Sequence, residues 1–181
     1  MSQLYDAIND ELQQFILKQK IFFVGTAGAE GKVNVSPKGM DTLRVIDDKR
    51  VIWLNHTGSG NESAAHVLEN GRMTIMFCAF EDKPLILRLY GNATAIHERD
   101  DLWDHMVKNF DNVTGARQIF NLEIEMVQTS CGFAVPNFDY VAEREVLLNW
   151  AEVKGREGVV QYWRDNNVES LDGKPTKVFD E

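Results

Sequence analysis

No run of apolar residues approaches the roughly 20 positions that a bilayer-spanning helix needs. The first twenty residues, MSQLYDAINDELQQFILKQK, also lack the charged start, apolar middle and small-residue cleavage site of a secretory signal. Cysteine is scarce: Cys78 and Cys131 are the only two, and their separation fits neither a metal motif nor a redox motif. The expected address is the cytoplasm, with both thiols free. Positive charge is short as well, with 19 Lys and Arg against 28 Asp and Glu, a net charge of −9 and no basic block. Nucleic acid and anionic membrane are therefore poor partners. The four histidines, His56, His66, His97 and His105, fall in different segments, so no metal site is expected.

What is present is enough for one core. With 44% apolar residues and no internal repeat, linker or low-complexity tract, residues 1–181 read as a single domain. Leu4, Ile8, Leu12, Phe15 and Ile16 recur at helical spacing and predict an N-terminal helix over 3–19, with Ser2 as N-cap. IFFVGTAGAEGKVNVSPKG then reads as two strands joined through the turn Gly28-Ala29-Glu30-Gly31. A third strand is expected over 50–55 and a short helix over 63–70, closed by Asn70-Gly71. Strands follow over 73–80 and 85–97, joined by Glu81-Asp82-Lys83-Pro84. Residues 99–110 return to helical spacing, and 117–135 reads as a long strand bent near Ser130-Cys131-Gly132. A helical segment over about 143–166 is split by Gly155 and Gly158. Consecutive hairpins with helices at the ends and between strands predict a mainly β or α+β fold, an antiparallel split barrel of about 20–136 with flanking helices.

The chemistry concentrates in Asn55-His56-Thr57-Gly58-Ser59-Gly60-Asn61-Glu62-Ser63, small and hydrogen-bonding residues just before a helix. Glycines and a helix N-terminus together make an anion site, so a phosphate can sit there. The same loop also fits plain turns with Asn61 or Ser63 as the helix cap, and it matches neither the P-loop nor the Rossmann pattern. Ser36-Pro37-Lys38 ends the second strand, and Arg88 lies within the apolar run Leu85–Tyr90. Such an arginine either snorkels outward or is held toward an anion. His56 reads as an ordinary loop histidine, Cys131 as a packed thiol, and the tail SLDGKPT either frays or closes over a neighbouring site.

The succession KVNVSPKG, VIWLNHTGSGNESAAHVLENGR and LILRLYGNA resembles the flavin-binding half of pyridoxamine 5′-phosphate oxidase-like proteins, in order and in separation, over residues 10–100. The resemblance implies bound flavin mononucleotide (FMN) and a homodimer with the cofactor between subunits. Ser36 and Lys38 would face the flavin or its phosphate, and Trp53, Leu54 and Asn55 would line the ring. Gly60, Asn61 and Ser63 would cradle the phosphate, with Arg88 as its cation. Two features depart from the oxidase: Glu62-Ser63 stands where it has an Arg-Lys pair, and Leu85-Ile86 where it has Arg-Gln. The arginine-rich ending of the oxidase is also missing, so vitamin B6 phosphate oxidation does not follow. The expectation is an FMN oxidoreductase acting on a small organic substrate or a pyridine nucleotide, with no catalytic side chain named. A non-enzymatic flavin carrier or sensor, or a split barrel binding haem or a deazaflavin, is the alternative.

Overall fold

The computed structural model describes residues 2–179. Its centre is an eight-stranded antiparallel sheet. The strands are β1 Gln3–Tyr5, β2 Phe22–Thr26, β3 Asn34–Lys38, β4 Leu43–Asp47, β5 Arg50–His56, β6 Arg72–Cys78, β7 Ile86–Ile96 and β8 Ala116–Ser130. They run in the order β3-β2-β6-β7-β8-β5-β4, with β1 added to β8. β3 and β4 end the order without pairing to each other, so the barrel is split rather than closed. The helices are α1 Asp10–Lys18, α2 Glu62–Asn70, α3 Trp103–Met106 and α4 Val146–Asn166, and the fold is α+β as expected.

β5 reads as a continuous apolar run because both of its faces are buried. Val51 and Trp53 face one core with Phe22, Val24, Ile75 and Phe120, covered by Ile8, Leu12 and Ile16. Ile52 and Leu54 face a second core with Ile119, Trp103, Met106 and Phe110. A third, smaller cluster joins Ala151, Val159 and Trp163 of α4 to Val178 near the C-terminus.

The structure corrects four details. The predicted helix over 3–19 begins only at Asp10: residues 3–5 pair with Val127–Thr129 of β8, and the cap is Asn9, whose side chain accepts from Leu12 N–H at 2.9 Å. Ser2 is not the cap. β4 was not expected, since its alternation is weak and its last two residues are exposed; it forms an edge hairpin with β5. The helix over 99–110 shrinks to α3 and a 3-10 turn at Val107–Asn109, because Asp100 caps a tight turn by accepting from His97 N–H at 2.7 Å. Of the two glycines expected to divide α4, only Gly155 does so, at φ 65° and ψ 171°. Gly71 closes α2 in the left-handed conformation, as its position after Asn70 suggested.

Candidate functional site

β5 delivers its C-terminal residues, Asn55 and His56, to the loop that leads into α2. Opposite them, β8 carries a β-bulge: Asn55 pairs with Gln118 and His56 with Ala116, so Arg117 is the extra residue. A bulge of this kind takes a residue out of the ladder and re-aims its side chain. Arg117 is 5% exposed. Its Nη1 donates to Gly60 O at 3.0 Å and to Asn167 Oδ1 at 2.6 Å, and its Nη2 donates to Asn55 Oδ1 at 2.8 Å. Every one of these acceptors is uncharged, and the buried Nε has no partner. A buried guanidinium without a carboxylate is costly, and burial pushes its pKa down to about 9. It remains a cation at neutral pH.

A second cation converges on the same place. Lys38, at the end of β3, holds its Nζ 5.2 Å from the centre of the Trp53 ring. Burial, then the charge of Arg117, lower its pKa to about 8. Asn61, which sequence reasoning considered as the cap of α2, instead exchanges side-chain hydrogen bonds with Gln118, at 2.8 and 3.4 Å. The start of α2 therefore has no side-chain cap and presents the positive end of its dipole. Asn167 donates to Gly58 O at 3.1 Å and Arg117 to Gly60 O, so the loop carbonyls are tied back to protein donors.

These groups line a cleft of about 620 Å³, within the range of about 300–1,000 Å³ usual for small-molecule and cofactor sites. Ser36, Lys38, Trp53, Leu54, Asn55, Gly60, Asn61 and Ser63 all border it. Trp53 and Leu54 do so with side chains only 1% exposed, packed into the two cores on either face of β5. Arg88 is not there. Alternation along β7 puts it on the face opposite Leu87 and Leu89, where it donates to Ser130 Oγ at 3.2 Å. The cation that joins Lys38 in this cleft is Arg117, which sequence reasoning passed over at the start of a predicted strand. His56 also borders the cleft, with its ring against Thr114 O at 3.1 Å and its pKa lowered by burial.

The tail does not fray up to residue 179. Glu169, Ser170 and Leu171 form one wall of the cleft, and Leu171 N–H donates to the Glu62 carboxylate at 3.0 Å. Asp172 pairs with Lys32 at 2.6 Å, and Lys174 pairs with Glu69. Beside the cleft opens a groove of about 1,530 Å³ that shares Lys38 and residues 57–59 with it and is lined by Phe15, Phe23, Phe80, Phe138, Trp150 and Tyr162 among others. Cys78 and Cys131 are free thiols. No helix among the described residues is long and apolar enough to cross a membrane.

The sequence profile of pyridoxamine 5′-phosphate oxidase matches residues 8–131. A pyridoxamine 5′-phosphate oxidase family protein of Aspergillus flavus, ustO, is 35% identical across an alignment of 193 positions that spans 97% of this chain and 78% of that protein. Among solved structures, HupZ of Group A Streptococcus superposes with a TM-score of 0.55 at 22% identity, over 73% of this chain and 99% of HupZ. A candidate pyridoxamine 5′-phosphate oxidase of Lactobacillus delbrueckii gives a TM-score of 0.53 at 21% identity, over 68% of this chain and 94% of its own. At those identities the likeness is one of fold.

Proposed function

The chain belongs to the pyridoxamine 5′-phosphate oxidase family, and we propose that its cleft binds FMN, with the phosphate held by Arg117, Lys38 and the N-terminus of α2. The observation that carries this reading is the pair of cations, Arg117 and Lys38, gathered in one cleft, neither of them paired with a carboxylate of the described residues although Glu62 and Glu169 also border the cleft. Two desolvated cations that repel each other are costly to the folded chain alone, and a dianionic phosphate relieves both costs. Arg117 takes the role that the sequence suggested for Arg88. Ser63, Asn61 and Gly60 border the phosphate end, while Ser36, Asn55 and the β5 edge at Trp53 and Leu54 border the rest.

When bound, the flavin supplies hydride or electron transfer, and the protein supplies position and charge. The substrate is a small organic molecule or a pyridine nucleotide that enters through the adjoining aromatic groove. Within that groove and its rim lies a second feature, the segment 132–153 with Phe133, Phe138, Val141, Val146 and Val153 all well exposed. Large apolar side chains exposed this close together mark an interaction surface, even with charged residues between them. It supports a homodimer in which a second copy covers part of the groove beside the flavin. The free thiols fit a reducing cytoplasm.

The test is to purify the protein, record its visible spectrum, and titrate it with FMN and with a nicotinamide reductant under air. Flavin absorbance with turnover supports an oxidoreductase. Bound flavin without turnover leaves a flavin-binding module, and no binding at micromolar FMN refutes the proposal. Light scattering reads the dimer.

A further inference from the structure

Behind the cleft lies a buried titratable side chain that the proposed function does not use. His66, on α2, is 1% exposed. Its Nδ1 lies 3.1 Å from Thr26 Oγ1, while its Nε2 is buried with no partner. Thr26 Oγ1 in turn lies 3.3 Å from Ser63 Oγ, and the Asn34 side-chain amide donates to the same Ser63 oxygen at 3.2 Å. Ser63 and Asn34 border the cleft.

The directions of these bonds are not independent. A hydroxyl has one proton to donate and accepts through its lone pairs. A proton on the partnerless Nε2 alone would strand a donor in the apolar interior and leave Nδ1 to accept from Thr26, so that Ser63 would donate inward to Thr26. Buried orphan N–H groups are the rarer defect, and unpaired acceptors are better tolerated. With the proton on Nδ1, His66 donates to Thr26 and Thr26 donates to Ser63. Ser63 then accepts from both Thr26 and Asn34, and its own proton is left to point into the cleft.

We propose that His66 and Thr26 are positioning residues that fix the Ser63 hydroxyl as a hydrogen-bond donor toward a phosphate in the cleft. The inference rests on the FMN reading above and adds what that reading lacks, a reason for Ser63 to prefer a ligand group that only accepts. The relay selects for the phosphate and is indifferent to the isoalloxazine ring. It therefore acts on FMN and not on riboflavin, which has the same ring and no phosphate.

The test uses the full-length protein with FMN and riboflavin as probes, read by quenching of flavin fluorescence. Thr26→Val keeps the shape of the side chain and removes the donor to Ser63. It is expected to weaken FMN about three- to tenfold, the scale of one hydrogen bond to a charged group made less well, and to leave riboflavin unchanged. Thr26→Ser restores FMN affinity. In a Ser63→Ala background, Thr26→Val costs nothing further, because the two act through one hydroxyl. Asn34→Ala, at the half-buried end of β3, gives a smaller loss of the same selectivity without touching the core. Equal losses for both flavins, no rescue by serine, or an undiminished loss in the Ser63→Ala background would overturn the relay. Wild-type protein that binds FMN while Thr26→Val changes nothing also overturns the relay alone. Wild-type protein that fails to bind FMN overturns the flavin reading itself.

Discussion

Raising the pH titrates Lys38 before any other cation of the cleft, and this gives the site a measurable signature. Its pKa is lowered to about 8, by burial first and by Arg117 second, whereas Arg117 holds its proton to about 9. The second ionisation of a phosphate monoester lies near 6, so FMN is already dianionic where Lys38 loses its charge. If the anion needs the ammonium, the apparent dissociation constant grows with the fraction of Lys38 that is deprotonated. With a pKa of about 8, that fraction goes from about one tenth at pH 7 to about nine tenths at pH 9, so FMN binding weakens about tenfold. Fluorescence titrations between pH 6.5 and 9.5 at fixed ionic strength measure this directly. Riboflavin is the control, since any titration of the ring affects both ligands alike. Lys38→Met is the second control: weaker for FMN at pH 7 and flat through pH 8. An FMN profile that is flat across pH 8, or one that riboflavin reproduces, refutes the placement of the phosphate on Lys38.

The free protein shows the same titration with the opposite sign. Between about pH 8 and the ordinary lysine value of 10.5, the unfolded chain binds more protons at this position than the folded one, so stability rises with pH in that window. Chemical denaturation of the free protein reads this gain, and Lys38→Met lacks it. Arg117→Met weakens FMN by about 1.5–3 kcal/mol, the cost of a lost charged hydrogen bond, as measured by calorimetry. Glu62→Gln keeps an acceptor for Leu171 N–H and removes a negative charge from the cleft wall. It tightens FMN about two- to fivefold, the range of a solvent-screened charge pair. Gly91 of β7 lies opposite a bulge in β8, where Glu125 is the extra residue, and a Cβ there would run into the Glu123 carbonyl. Gly91→Ala therefore destabilises the fold by about 2–3 kcal/mol, visible as a lower melting temperature.

Much of this architecture is written locally in the chain. Trp53 and its neighbours in β5 announce a strand buried on both faces, and Asn70-Gly71 announces the end of α2, because each depends on a few adjacent residues. β4 is not announced, since an edge strand needs to bury only part of one face and its Leu-Arg-Val-Ile-Asp pattern is correspondingly weak. Residues 3–5 carry helical spacing but find a partner in β8, more than 120 positions away, and tertiary pairing wins over propensity. The site divides the same way. The loop from Asn55 to Ser63 is contiguous, so its hydrogen-bonding character is plain from the residues. Arg88 stands out by that standard, a cation within an apolar run, while Arg117 sits at a strand start between Ala116 and Gln118 and does not. The bulge opposite Asn55 and the arrival of Asn167, just past the end of α4, direct Arg117 inward, and the sequence near Arg117 signals neither. Asn61 illustrates the converse. Its position before a helix suggests a cap, yet the β8 residue Gln118 claims its side chain and leaves the helix start open to a ligand.

The central claim is that two uncompensated cations make this cleft an FMN phosphate site, and an isothermal titration of wild-type and Arg117→Met protein with FMN tests it most directly. The account predicts saturable micromolar or tighter binding at one FMN per chain, reduced more than tenfold in Arg117→Met, with melting temperature at a fixed FMN concentration rising less in the variant than in the wild type. Absence of wild-type binding, or equal binding by both proteins, would contradict it.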